Sequence, residues 1–317
     1  MTWVIVNTLD LDGAPEAVAA VEEVGRLVSL PADRPKVLAG IGEADAYLAS
    51  ASVRIDAEFL DAAPRLKLIG SPSTGTDHMD LAEIRARGIE VFDIAKERAL
   101  LDSFSATSEM AFALILSVVR NMKPAMRAAE QGNWLRERLQ GFQLMGKTLG
   151  ILGLGRLGTI TARIGLGFGM RVIATDVRDV QVPDVEMVTL DQLLAQSDIL
   201  SVHIHLKPET DGYIGRERIA AMRRGAILIN TARGRIVDEA ALLEALESGH
   251  LGGAGLDVVD GEWLTGIELY DHPLIRHART HDNLVIVPHI GGSTIESIYG
   301  ARVFMARKVA DWLRARS

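Results

Sequence analysis

Short apolar runs alternate with amphipathic stretches from one end of this 317-residue chain to the other. Val4 to Val6, Ala46 to Leu48, Lys67 to Gly70 and Gly88 to Phe92 read as buried strands. Between them, Pro15 to Gly25, Ala57 to Ala62 and Asp80 to Arg87 carry the apolar spacing of helices. That alternation predicts a small α/β domain over about the first hundred residues. A long apolar helix, Ser105 to Arg120, follows and is expected to bridge two domains. Further apolar runs at Lys147 to Leu152, Met170 to Thr175, Ile199 to His203, Ala226 to Asn230, Gly253 to Val258 and Leu284 to Val287 predict a second parallel sheet. These runs are apolar throughout, as strands covered on both faces must be. The closing helix, Thr294 to Arg314, is expected to return to the first domain. The predicted fold class is therefore α/β, with two parallel sheets flanked by helices.

The most specific local signal lies between Gly146 and Asp176. A strand leads into Gly153-Leu154-Gly155-Arg156-Leu157-Gly158, a helix follows, and a second strand ends at Asp176. Gly153 permits the tight turn, Gly155 lets the backbone approach a pyrophosphate, and Gly158 lets the helix pack on the strand. The helix opening at Arg156 and Leu157 directs N–H groups toward the phosphates. Asp176 is placed to accept hydrogen bonds from the adenosine ribose and to repel a 2′-phosphate, so NAD rather than NADP is the expected cofactor. Arg178, just beyond it, and Lys207 are the basic residues that bear on that choice. By contrast, Gly165, Gly167 and Gly169 read as close packing and a helix C-cap.

Composition narrows the field. A chain of this length is expected to form two domains. A net charge of -8 gives no basic footprint for nucleic acid or an anionic membrane surface, and no run is read as a membrane span. The absence of cysteine excludes disulfides and thiol nucleophiles and suits a reducing compartment. Together with an N-terminus that reads as a first strand, this predicts a cytoplasmic protein. No pair of histidines has metal-ligand context, so no metal is expected.

Four blocks then carry a family resemblance: Gly146 to Gly158, Gly225 to Gly234, Gly253 to Val258, and Pro288-His289-Ile290-Gly291-Gly292-Ser293-Thr294. In this order they resemble the D-isomer-specific 2-hydroxyacid dehydrogenases, including the phosphoglycerate dehydrogenase-like and glyoxylate-hydroxypyruvate reductase-like members. The resemblance covers almost the whole chain. It implies a flavodoxin-like substrate domain built from residues 1–102 and 291–317, with a Rossmann-type NAD domain, residues 103–290, inserted between them. It also implies a homodimer, for which the apolar helix Ser105 to Arg120 and the nearby Trp134 are candidate interface elements.

Reducing a 2-keto acid requires a cation for its carboxylate, a proton donor for its carbonyl oxygen, and a group that keeps the donor charged. Arg233 follows a strand at the carboxyl edge of the sheet, where ligands bind in open α/β folds, and its planar fork suits carboxylate and carbonyl alike. His289 similarly follows a strand and suits acid/base work. By resemblance Glu262 is the carboxylate that pairs with His289; an adjacent negative charge favours imidazolium. Asp260 is a competing carboxylate, and Trp263 stands where the family usually has proline. The resemblance further assigns Ser73, Thr74 and Gly75 to substrate binding, where small residues suit a nest of exposed amides. It assigns Thr74, Thr231, Ala232, Asp257 and Gly291 to the cofactor.

Departures from the family pattern bear on the substrate. His205-Leu206-Lys207 replaces the usual Pro-Leu-Thr, Met110 replaces a histidine, and Ser50 stands where phosphoglycerate dehydrogenases usually have arginine, although Arg54 or Lys67 remain available to a phosphate. Ala95 to Ser103 is longer than the usual connection and is a candidate specificity element. The expected activity is hydride transfer between NAD(H) and a small D-2-hydroxy acid/2-keto acid pair. The competing reading is an NADH-sensing binding protein like the C-terminal-binding-protein corepressors, which share the architecture.

Overall fold

Two units make up the structure, a computed structural model that describes residues 3–134, 136–262 and 269–317. One runs to Phe104 and resumes at Thr294–Ser317; the other is Ser105–Ser293. Trp263 lies outside the described residues.

In the first unit five parallel strands, β1 (Trp3–Asn7), β2 (Gly25–Ser29), β3 (Ala46–Leu48), β4 (Leu68–Gly70) and β5 (Glu90–Phe92), form a sheet of order β2-β1-β3-β4-β5. Every residue of β1, β3 and β4 is buried. Because side chains alternate along a strand, Ile5, Leu48 and Leu68 meet one layer of helices and Val6, Tyr47 and Ile69 meet the other. The first layer is Pro15–Glu22 and Ile295–Arg314, contributing Val21, Met305 and Val309. The second is Arg34–Gly40, Ala57–Ala62 and Leu81–Ala86, contributing Val37, Phe59 and Ile84. Asp33, Asp56 and Asp80 start these three helices by accepting first-turn N–H groups. The connection around Ala95 to Ser103 folds into a short helix, Arg98–Leu101, whose Leu101 enters the first core layer.

The second unit holds seven parallel strands: β6 (Thr148–Leu152), β7 (Arg171–Thr175), β8 (Val185–Met187), β9 (Ile199–Val202), β10 (Ile227–Asn230), β11 (Gly253–Leu256) and β12 (Leu284–Ile286). Their order is β12-β11-β10-β9-β6-β7-β8. The direction of winding reverses between β6 and β9, which is where open α/β sheets bind nucleotides. Helices Ala106–Val119 and Arg156–Gly167 cover one face; Leu190–Gln196, Arg216–Ala221, Glu239–Glu247 and Pro273–Thr280 cover the other.

Three expectations need correction. The helix expected to reach Gly25 ends at Glu22, and Gly25–Ser29 is a strand; β8 was likewise not anticipated. Both are edge strands with a neighbour on one side only, so they are partly exposed and carry a diluted apolar signal. The apolar helix Ala106–Val119 is not an open interface face: Phe112, Leu114, Ile115, Val118 and Val119 are buried in the core of the second unit. The stretch Arg98–Val119 is apolar enough to suit a bilayer by length and composition. Residues 102–105 nevertheless break it into two helices, and the second packs into that core.

Register aligns the site. Thr175, Leu152, Val202, Asn230, Leu256 and Ile286 pair across six adjacent strands as one row. The residues that follow, Asp176, Gly153, His203, Thr231, Asp257 and Val287, therefore leave the sheet together at its carboxyl edge.

Gly158 fixes how the helix Arg156–Gly167 meets that edge, because a Cβ there would stand 2.1 Å from the Gly153 carbonyl oxygen. Gly158→Ala is expected to lower unfolding free energy by about 1–3 kcal/mol. Gly167→Ala, where nothing lies within 4 Å, should be neutral or stabilising by up to about 1 kcal/mol. Urea melts of both variants check this, and equal effects would contradict the packing argument.

Candidate active site

The glycine-rich turn is shaped by contact and by space. Gly153 has φ of 93°, and a Cβ on it would meet the His203 carbonyl oxygen at 2.9 Å. A Cβ on Gly155 would meet only Arg178 Nη2, at 3.8 Å, so the turn is open on that side. Helix Arg156–Gly167 starts at Gly155 with no side-chain cap, and its positive dipole end faces the turn. Asp176 stands beside it. Its Oδ2 accepts the Leu154 N–H at 2.8 Å, and its Oδ1 accepts the Arg178 N–H at 2.9 Å. Hydrogen bonds from the Arg178 guanidinium hold the carboxyl below the usual carboxylate range.

Next along the row, His203 bonds Ser201 Oγ through Nε2 at 2.8 Å. Burial pushes its imidazole down to about 4, which leaves it neutral near pH 7. Beyond β10, buried Asn230 builds the turn that presents Arg233: its Oδ1 accepts the Ala232 N–H at 3.0 Å and its Nδ2 donates to the Arg233 carbonyl at 2.9 Å. Arg233 Nη1 donates to the Ala232 carbonyl at 2.7 Å. Between them, Thr231 Oγ1 is buried without a hydrogen-bond partner among the described residues.

The third element is the turn after β12. His289 adopts φ of 51°, a left-handed conformation uncommon outside glycine, although asparagine, aspartate and histidine adopt it more often than other residues. Three hydrogen bonds to Asp257 hold it there. The His289 N–H donates to the Asp257 carbonyl at 2.8 Å, while the carboxylate accepts the N–H groups of Ile290 at 2.7 Å and Gly291 at 2.8 Å. Asp257 is 1% exposed, and burial lifts its carboxyl above the usual range against the pull of those two donors. Gly291 has no room for a side chain, since a Cβ would lie 2.5 Å from Asp257 Oδ2.

Held in this way, His289 places Nδ1 2.7 Å from Glu262 Oε1. The contact assigns the Nδ1 proton to the Glu262 side. Asp260, the competing carboxylate, instead presents its backbone N–H to Glu239 Oε1 at 2.8 Å. Glu239 Oε2 in turn lies 3.0 Å from His272 Nε2, so a second histidine–carboxylate pair braces the loop that carries Glu262. A cavity of about 680 Å³ opens beside Glu262 and His289, walled mainly by Val259, Leu269, Ile275 and β12. Among the described residues its lining includes Val287 and His289 but not the glycine turn, Asp176 or Arg233.

In the first unit, Ser73, Thr74 and Gly75 follow β4 at the carboxyl edge of that sheet. Ser73 Oγ lies 2.9 Å from Ser71 Oγ and donates to the Gly75 carbonyl at 2.7 Å, which fixes the loop's curvature. Thr74 is exposed at its tip.

These features meet their comparison in known proteins. A family model described as D-isomer specific 2-hydroxyacid dehydrogenase, NAD binding domain, matches residues 112–291. The chain belongs to the D-isomer specific 2-hydroxyacid dehydrogenase family. It is 40% identical over 276 residues to the glyoxylate reductase of Thermofilum pendens, covering 84% of this chain and 78% of that one. To the D-3-phosphoglycerate dehydrogenase of Mycobacterium bovis it is 39% identical over 291 residues, covering 90% of this chain and 52% of the relative. The chain thus spans about half the length of the phosphoglycerate dehydrogenases it matches. Among solved structures, the D-lactate dehydrogenase of Aquifex aeolicus complexed with NAD and lactic acid superposes with a TM-score of 0.83. It has 30% sequence identity, with 98% of this chain and 96% of that chain covered.

The cofactor of this D-2-hydroxyacid dehydrogenase family member is NAD. The residues fit it: an open Gly155, an uncapped helix start, the Asp176 carboxylate and the unpartnered Thr231 hydroxyl lie along one sheet edge. Sequence reasoning missed Asn230 as the builder of the Arg233 turn, and it missed the Glu239–His272 brace. Asn230 had a signal, since it is polar at the end of an apolar run. The brace had none, because its partners come from distant segments.

Asp257→Asn supplies one acceptor oxygen where two N–H groups need one each, leaving one donor facing an amide NH₂. The cost should be about 1–3 kcal/mol of stability. The imidazole proton shared between His289 and Glu262 should also shift in the proton NMR spectrum. An unmoved resonance would show that Asp257 does not set the His289 turn.

Proposed function

We propose that the protein is an NAD-dependent oxidoreductase interconverting a small D-2-hydroxy acid and its 2-keto acid, with His289, Glu262 and Arg233 as its working side chains. The observation that carries this reading is the 2.7 Å contact between His289 Nδ1 and Glu262 Oε1 on a turn held in a left-handed conformation. Strained backbone of this kind persists where surrounding structure over-determines it, commonly at functional sites.

When bound, the nicotinamide supplies or receives the hydride. In the reductive direction His289 Nε2 donates a proton to the substrate's carbonyl oxygen, and in the oxidative direction it removes one from the hydroxyl. Glu262 orients the ring and balances its charge. Arg233, three residues beyond the row-end Asn230 as His289 is three beyond Ile286, binds carboxylate and carbonyl with its planar fork. Ser73, Thr74 and Gly75 are assigned to the substrate carboxylate through their backbone amides, with Thr74 also assigned to the cofactor.

A small unphosphorylated acid suits the first unit. Lys67 precedes β4 at the amino end of the sheet, beside Asp45 and over the Trp3 ring, while Arg54 Nε lies 3.5 Å from Asp56. Neither cation is thus committed to a substrate phosphate. A cytoplasmic setting suits the absence of cysteine.

NADH oxidation with glyoxylate, hydroxypyruvate, pyruvate and phosphohydroxypyruvate tests the reading. Turnover is expected with at least one unphosphorylated acid. His289→Ala should lower kcat by about 10²–10⁴-fold, and Glu262→Gln by a smaller factor. Full activity in His289→Ala, or silence on every acid despite NADH binding, would sink the proposal.

Homodimerisation is proposed as well, with the interface moved from the buried helix Ala106–Val119 to the segment after it. Met122, Met126, Trp134, Phe142 and Met145 all expose large apolar side chains there, with Trp134 at 78%. Scattered apolar residues are ordinary on a surface, but such a concentration marks an interaction face. Light scattering after size exclusion should give twice the 34.3 kDa of the chain. Trp134→Asp combined with Met126→Asp should reduce it to one chain, whereas a wild-type mass near 34.3 kDa would overturn the dimer.

A further inference from the structure

Glu239 and His272 each stand at the start of a helix, yet neither side chain serves its own. Helix Glu239–Glu247 is already capped by Asp238, whose Oδ1 accepts the Ala241 N–H at 3.0 Å. His272 occupies the N-cap position of helix Pro273–Thr280, and its ring makes no hydrogen bond to that helix's first turn. The two side chains meet each other instead, with Glu239 Oε2 3.0 Å from His272 Nε2. His272 Nδ1 is buried with no hydrogen-bond partner among the described residues, so the ring's proton belongs on Nε2, where Glu239 accepts it. Glu239 Oε1 is left for the Asp260 N–H, which donates to it at 2.8 Å.

The peptide unit that carries this N–H is restrained a second time. A Cβ on Gly234 would stand 2.2 Å from the Val259 carbonyl carbon and 2.3 Å from the Asp260 nitrogen, so only glycine admits such a close approach. Gly234 directly follows Arg233. Asp260 precedes Glu262 by two residues, and Gly261, at φ of 76°, turns the chain between them. One peptide therefore links the turn that presents Arg233 to the loop that presents Glu262. Contact with Gly234 and the hydrogen bond to Glu239 fix it together.

We propose that Gly234, Glu239 and His272 are positioning residues that clamp the Val259–Asp260 peptide and so set where Glu262 meets His289. The 2.7 Å contact between Glu262 Oε1 and His289 Nδ1 then depends on a hydrogen bond made two residues away. The consequence for turnover rests on reading His289 and Glu262 as the acid/base pair; the consequence for the contact itself does not.

Proton NMR of the imidazole proton between His289 and Glu262, assigned by its absence in His289→Ala, tests the clamp without any substrate. Glu239→Ala and Gly234→Ala should both move that resonance. His272→Ala should move it in the direction of Glu239→Ala, whereas His272→Gln, which keeps a side-chain N–H near the place of Nε2, should leave it close to its wild-type position. In steady-state reduction of a keto acid, Glu239→Ala should lower kcat by about 10- to 100-fold, the range that a small misplacement of a working group costs. The KM for the keto acid and the affinity for NADH should stay unchanged. A wild-type resonance and kcat in a folded Glu239→Ala, even with lowered stability in urea, would overturn the proposal and leave the pair as a structural brace. A raised KM at unchanged kcat would overturn it as well. If the wild type reduces no keto acid while the resonance still moves in Glu239→Ala, the proposed reaction falls and the clamp stands.

Discussion

A buried carboxylate ties one end of the candidate site together. Asp257 leaves β11 in line with its neighbours, and both its oxygens take N–H groups from the turn after β12. Burying an ionised carboxylate is costly unless its lone pairs are met, and here two backbone donors meet them without movable partners. The return is geometric. His289 is held at positive φ, Gly291 is pressed against the carboxylate, and the imidazole is delivered to Glu262. Without Asp257 the turn would have no reason to stay left-handed.

Part of the candidate row was legible in the sequence, and the reason is the sheet. Parallel strands in register end together, so whatever follows each apolar run shares one edge. Asp176, Arg233 and His289 were read from their places just after apolar runs, and the row shows why that works: Asp176 follows its end by one residue, Arg233 and His289 by three. Thr231, Asp257 and Glu262 came instead from the family resemblance, and Asp257 lay inside its expected run because β11 stops at Leu256. The misses were β2 and β8, edge strands with Arg26 or Glu186 among few residues, where half-exposure thins the periodic signal. Side-chain exchanges were beyond reach for a different reason. That Arg178 folds back on Asp176, or that Glu239 links Asp260 to His272, depends on rotamers and on contacts between distant segments.

The loop bearing Glu262 is supported from behind. Glu239 opens helix Glu239–Glu247, and His272 caps helix Pro273–Thr280. Their contact spans the two helices, and the Asp260 N–H is drawn into it. Burial pushes the Glu239 carboxyl upward, so the brace carries a cost of its own. A group that must hold an imidazole in one orientation gains from such backing, since a small displacement of Glu262 would free the ring to turn.

The row thus contains two carboxylates, buried Asp257 and partly buried Asp176, whose partners differ in kind. Both oxygens of Asp257 are held by backbone donors of the turn that carries His289. Asp176 has two backbone donors of the same kind, but its remaining capacity is held by the guanidinium of Arg178, a side chain that is 56% exposed. The two carboxylates of one sheet edge thus differ in whether their partners belong to the backbone or to a side chain.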